Sequence, residues 1–196
     1  PQSMSGRKGV GVKVDELLDI TENKVMEQTY AVTSGRAADA VAPREVGVAA
    51  IKYFMLRNNP QTDIVFDYHE ALSLQGNTGP YLQYAHARAS GILEKAGGGK
   101  AASIDASQLN QEEARLLKKL YLWPQVLSEV SDSLNVNDIC TYAFELSNTF
   151  NGFYEASPVM KAEGAVKDRR IALVSAFKKV LADVLGVLGI AAPEKM

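Results

Sequence analysis

Only one cysteine, Cys140, occurs in the 196 residues. No disulfide can therefore close within the chain, and a reducing, cytoplasmic setting is expected. Histidine is nearly as scarce. His69 and His86, with a single thiol, cannot assemble a zinc site without unusual carboxylate help, so no metal is expected. The His69-Glu70 pair runs on as "HEALS", which lacks the second histidine of H-E-x-x-H. No apolar run is long enough to span a bilayer, and nothing resembles a secretory leader, so no membrane partner is expected. An excess of charge of either sign is missing too. A net charge of -2 and a pI near 5.8 argue against wholesale coating of nucleic acid and give no footing for DNA, while leaving room for a local basic patch. Asp63 and Asp67 have nothing convergent beside them and read as solvated. No Ser/His/Asp or Cys/His nucleophile pattern is present.

With 46% hydrophobic residues, the chain can bury a real core. Its opening, "PQSMSGRKGVGVK", is a glycine- and cation-rich loop with no strand before it, which reads as the cut edge of a larger body. Acid-capped helix character follows from Asp15 to about Tyr30. Pro43 opens a second helix with a broad apolar face, Val46 to Leu56, that loss of a parent body would expose and that could drive dimerisation. "DIVFDY" is the one β-branched, aromatic run that predicts a strand. Beyond Gly79 every strong signal is helical. "AGGGKAASIDAS" reads as a linker, since G-x-x-x-x-G-K-[ST] spacing fails there. A helix stopped by Pro124, another begun by it, a long one capped by Asn137-Asp138 and a last one from about Val166 to Leu188, ended by Gly189, complete the pattern. The expectation is a mainly α chain: an antiparallel helical bundle over residues 76–196, preceded at 1–75 by a small α/β remnant.

The stretch "GNTGPYLQYAHAR" carries the most chemistry. At about 100° per residue, Tyr81, Tyr84 and Arg88 share a narrow arc that Lys95 continues, and Leu82, Ala85, Ala89, Ile92 and Leu93 form the opposite, core-facing arc. Aromatic faces alternating with cations are what a single-stranded nucleic-acid surface needs, because bases stack on rings while cations meet phosphates. Tyrosine also suits a half-buried junction between packed elements, so spacing leaves both readings open. His86 falls on the packing side, as a satisfied core histidine would.

In the last helix Leu173, Phe177, Val180, Leu181, Val184 and Leu188 form the apolar arc, with Arg170 inside it. Such an arginine needs a partner, and a carboxylate such as Glu145 could supply it. Between Lys161 and Lys179 basic residues outnumber acidic ones, enough for local positive potential.

"FDYHEALSLQGNTGPYLQYAHAR" closely resembles the segment of arginyl-tRNA synthetases that leads into their helical anticodon-binding domain. "RRIALVSAFKKVLADVLGVLGIAAPEKM" is similar to that family's last helix and tail, and "MSGRKGVGVKVDELLD" to its loop after the nucleotide-binding fold. The resemblance implies that Tyr81, Tyr84 and Arg88 face the anticodon of tRNA(Arg), with Asn77 and Met196 beside them. It also implies that Ser5, Arg7 and Lys8 belong to a KMSKS-like ATP loop, although Ser3 and Gly6 stand at its two lysine positions. By the same analogy the parent enzyme would use ATP, Mg2+ and arginine. The HIGH-type signature is not in this sequence, so no cofactor is expected on the chain alone, and it would be an inactive, monomeric piece. Two other readings compete with this one: a helical protein-interaction module with no RNA-reading role, and an independent nucleotide site in the Gly6 to Gly11 loop.

Overall fold

The computed structural model describes residues 13–32, 41–99 and 105–196. Within them lie α1 (Val14–Val32), α2 (Pro43–Leu56), the short α3 (Tyr68–Ala71), α4 (Gly79–Lys95), α5 (Gln111–Tyr121), α6 (Trp123–Ser133), α7 (Val136–Ala156) and α8 (Gly164–Val187). The helix ends follow local chemistry. Asp67 accepts from the amides of His69 and Glu70 to start α3, and Thr78 Oγ1 accepts from the Tyr81 amide, 3.2 Å, to start α4. Asn110 and Glu113 form a reciprocal capping box on α5. α8 stops where Gly189 takes φ +65°, a left-handed turn that glycine adopts without strain.

α4, α5, α7 and α8 enclose the main core, in which the Phe150 and Phe177 rings stack with centres 3.8 Å apart. Burying such rings is worth roughly 3–5 kcal/mol each against truncation to alanine. α2 serves two cores at once. Its Ala49 and Tyr53 face the bundle, whereas Val46, Ala50 and Phe54 join Val25 of α1 with Ala71 and Leu72. Tyr53 fastens the arrangement through its hydroxyl, which donates to the Cys140 carbonyl at 2.8 Å and meets the Asn77 side chain. α4 starts so close to α2 that a Cβ on Gly79 would lie 2.2 Å from the Ala49 carbonyl oxygen.

Four expectations are corrected. "DIVFDY" forms no strand, nor does any other segment among the described residues. Phe66 of this run instead packs edge-on against Phe54 and Tyr68, with centres 4.9 and 5.0 Å apart, so the aromatic pattern serves a helix surface and has no neighbouring strand to pair with. The α/β character expected for residues 1–75 is accordingly absent from the described part. The Val46–Leu56 face is not an exposed patch, because α1 and α4 cover its two sides. Finally, Asn137 and Asp138 lie inside the first turn of α7 behind Asn135, and no side chain caps that helix.

Candidate nucleic-acid interface

α4 sorts its residues as its period requires. Leu82, Ala85, Ala89, Ile92 and Leu93 are buried, and the tyrosine stripe faces α7 and solvent. The two tyrosines then part company. Tyr81 is half-buried at the α4–α7 junction, where its hydroxyl donates to Asn148 Oδ1 and accepts from Asn151 Nδ2, both at 2.7 Å. Burial raises its pKa against the opposing pull of the Asn151 hydrogen bond. Tyr84, 36% exposed, lines an open cavity instead. The half-buried junction thus describes Tyr81, whereas Tyr84 keeps an exposed face.

Arg88 joins them. Its Nη1 donates to Asn151 Oδ1 at 2.9 Å and its Nη2 to the Tyr84 hydroxyl at 3.1 Å. The guanidinium also sits 4.7 Å from the Tyr84 ring centre and 5.6 Å from that of Tyr154 on α7. Asn151 is therefore shared, holding Tyr81 with its amide nitrogen and Arg88 with its oxygen. The result is a planar cation beside two partly exposed rings and a cavity of about 470 Å³ that Lys95, Lys195 and Met196 also line, together with Glu94 and Glu194. Such a site can stack bases and meet phosphate oxygens with a pre-oriented fork.

Met196 reaches the cavity because the segment after α8 folds back along α4. The Gln83 amide donates to the Ala191 carbonyl at 3.0 Å, and His86 Nδ1 meets the Pro193 carbonyl at 2.8 Å. Since a carbonyl only accepts, Nδ1 carries the hydrogen. Burial lowers the His86 pKa, with the Pro193 hydrogen bond opposing. Lys178 of α8 donates to Glu194 at 2.6 Å.

Of the expected site residues, Tyr84, Arg88 and Met196 come together around the cavity and Tyr81 supports them through Asn151. Asn77 is not among them. Its carbonyl accepts from Arg57 at 2.6 Å and its side chain meets Tyr53, which places it at the α2–α4 contact. Ser5, Arg7 and Lys8, with the rest of the Gly6 to Gly11 loop, lie outside the described residues. Tyr154, Asn148 and Asn151 were missed by sequence reasoning. Tyr154 stands one helical turn beyond Phe150 at the edge of the apolar arc of α7, but periodicity could not say that this edge faces α4.

The basic end is less available than composition suggests. Arg170 pairs with Glu113, not Glu145: its Nε donates to Oε1 at 2.7 Å, and Arg169 takes the other oxygen with its Nε at 3.2 Å and Nη2 at 3.1 Å. Glu145 is held by Lys119. The capping box brings Glu113 to the start of α5 facing α8, an arrangement invisible along the sequence. Among the described residues no group of three or more histidine, cysteine or acidic side chains could hold a metal, and no helix is long and apolar enough to cross a membrane.

Residues 82–196 match the model of the DALR anticodon binding domain, and the chain belongs to that family. The match reaches further among individual proteins. The arginine–tRNA ligase of Methanospirillum hungatei is 41% identical over 199 residues, covering 99% of this chain and 35% of its own length. That of Methanocella arvoryzae is 42% identical over 200 residues, covering 98% and 34%. Among solved structures, Thermus thermophilus arginyl-tRNA synthetase superposes with a TM-score of 0.89 at 33% identity, over 100% of this chain and 33% of that one. The Plasmodium falciparum enzyme shares the fold at a TM-score of 0.73 and 23% identity, over 93% and 32%. This chain thus spans about a third of the length of the relatives it matches.

Proposed function

We propose that this chain is the anticodon-reading part of an arginine–tRNA ligase and that the Tyr84–Arg88–Tyr154 cavity receives bases of the tRNA(Arg) anticodon loop. The observation that carries this reading is the fixed guanidinium beside two partly exposed rings, an arrangement suited to unpaired bases and their phosphates. Residues 76–196 do the reading, with 1–75 as the join to the catalytic body. The whole ligase works in the cytoplasm as a monomer and couples arginine to tRNA(Arg) with ATP and Mg2+. Ser5, Arg7 and Lys8 belong to its ATP loop, and Asn77 steadies the start of α4 at its contact with α2.

The test is binding of an arginine-tRNA anticodon stem-loop, against a scrambled loop, across a salt series. Selective binding that Tyr84→Ala weakens by on the order of 1–3 kcal/mol is expected. A folded chain with equal affinity for both loops, or with none, would refute the reading and return the surface to protein docking, whose apolar contacts change little with salt.

A further inference from the structure

Three polar side chains are buried on α4: Ser90, which donates to the His86 carbonyl of its own helix at 3.1 Å, and two that reach out of it, Gln83 and His86. Gln83 is fully buried and His86 is 1% exposed. Neither contributes to the cavity. A buried amide or imidazole is a poor core filler unless its hydrogen bonds are used, and Gln83 uses only half of its amide: Nε2 donates to Ala191, whereas Oε1 has no partner among the described residues. An aliphatic side chain would fill that position without leaving an acceptor stranded. What an aliphatic side chain could not do is hold a carbonyl of the returning segment.

The spacing is matched on both sides. Positions 83 and 86 are nearly one turn apart on α4, and they engage the alternate carbonyls of Ala191 and Pro193 in the segment beyond Gly189. Lys52 donates to the Gly189 carbonyl at 2.5 Å, just where that segment turns back. Beyond 193 only Glu194, held by Lys178, and Lys195, whose carbonyl accepts from the Val41 amide at 3.3 Å, precede Met196, which lands beside Tyr84 and Arg88.

We infer that Gln83 and His86 are positioning residues: buried behind the anticodon face, they latch the Ile190–Met196 segment and through it hold Met196 at the mouth of the cavity. The effect on RNA rests on the anticodon reading above, whereas the latch itself does not. Removing either donor should loosen the segment, which Lys52 and Lys178 still hold at Gly189 and Glu194, and weaken stem-loop binding about fivefold to tenfold, the scale of one lost hydrogen bond in a largely unchanged fold.

The test separates the two parts. Met196→Cys carries a spin label; Cys140, fully buried and with its thiol pKa pushed up to about 12 mainly by burial, does not compete for it. The label should be immobile in the parent background and mobile with Gln83→Met or His86→Leu, which retain bulk and lose the donor. His86→Asn, whose amide nitrogen stands where Nδ1 stood, should restore immobility. Stem-loop affinity, measured with the unlabelled variants, should follow the same order, and circular dichroism should confirm that the bundle persists. A label that stays immobile in both donor-less variants overturns the latch. A mobilised label with unchanged RNA affinity overturns the positioning role. If the parent chain binds no stem-loop, the RNA reading fails, and the label experiment alone still decides the latch.

Discussion

Arg88 donates to the hydroxyl of Tyr84 while its guanidinium lies 4.7 Å from the centre of the same ring. One turn of α4 therefore delivers both the cation and the aromatic that orients it, and Asn151 fixes the other edge of the fork. A lysine would carry the charge but could not fill this planar, multiply bonded position. Arg88→Ala is expected to reduce the log-log salt slope of stem-loop binding by about 0.7, one neutralised phosphate on a single strand. Arg88→Lys should leave the slope nearly unchanged yet still weaken binding. Equal slopes in all three proteins would mean that Arg88 meets no phosphate.

Tyr154, which sequence spacing did not single out, should matter more to RNA than Tyr81, which it did. Tyr154→Ala removes a ring that is 39% exposed beside the cavity, so it should weaken RNA binding by roughly 1–3 kcal/mol with little loss of stability. Tyr81→Phe deletes a hydroxyl with two asparagine partners; it should lower unfolding stability by about 1 kcal/mol and affect RNA mainly through Arg88. Denaturant titration and stem-loop titration of both variants check this. The reverse assignment of effects would show that the buried ring is the reader.

The contrast between these two tyrosines shows how far the sequence was legible. Helical period alone separated Leu82, Ala85 and Ala89 from Tyr81, Tyr84 and Arg88, since both faces belong to one element. It could not find Asn151 or Tyr154, because their relevance depends on which side of α7 meets α4. The same holds for Arg170. Its position within an apolar arc demanded a carboxylate, but choosing Glu113 over Glu145 required knowing that the start of α5 abuts α8. "DIVFDY" failed for a different reason: aromatic alternation reports burial, and α2 supplied that burial without any sheet.

Glu113 is fully buried and holds two arginines. Burial alone would raise its pKa, but the hydrogen bond from Arg170, the Asn110 amide and the charge of Arg169 outweigh it and hold the carboxyl below its ordinary 4.5. The folded value lies under the unfolded one, so the stabilisation is fully present above that ordinary value and is lost as pH falls through the folded one. Glu113→Ala strands the buried Arg169 and leaves Arg170 only the Pro158 carbonyl, and should cost about 3 kcal/mol at neutral pH. Urea melts between pH 7 and 3 should show a shallower acid dependence in the variant. An unchanged dependence would mean that the pair is not retained in solution.

Gly79 and Gly91 lie on the same helix, and the same substitution should have opposite effects at the two. A Cβ at Gly79 would stand 2.2 Å from the oxygen and 2.6 Å from the carbon of the Ala49 carbonyl, both part of a buried turn of α2. Relief requires α4 to move away from α2, opening the contact that Tyr53 shares with both Asn77 and Cys140. A Cβ at Gly91 meets nothing within 4 Å, so Gly91→Ala gains helix propensity, up to about 1 kcal/mol. Gly79→Ala should instead lose about 3 kcal/mol or more, which for a chain of this length lowers Tm by roughly 6–12 °C. Thermal melts of the two variants decide the matter. Parallel shifts would mean that α4 does not press against α2 as closely as the Ala49 contact requires.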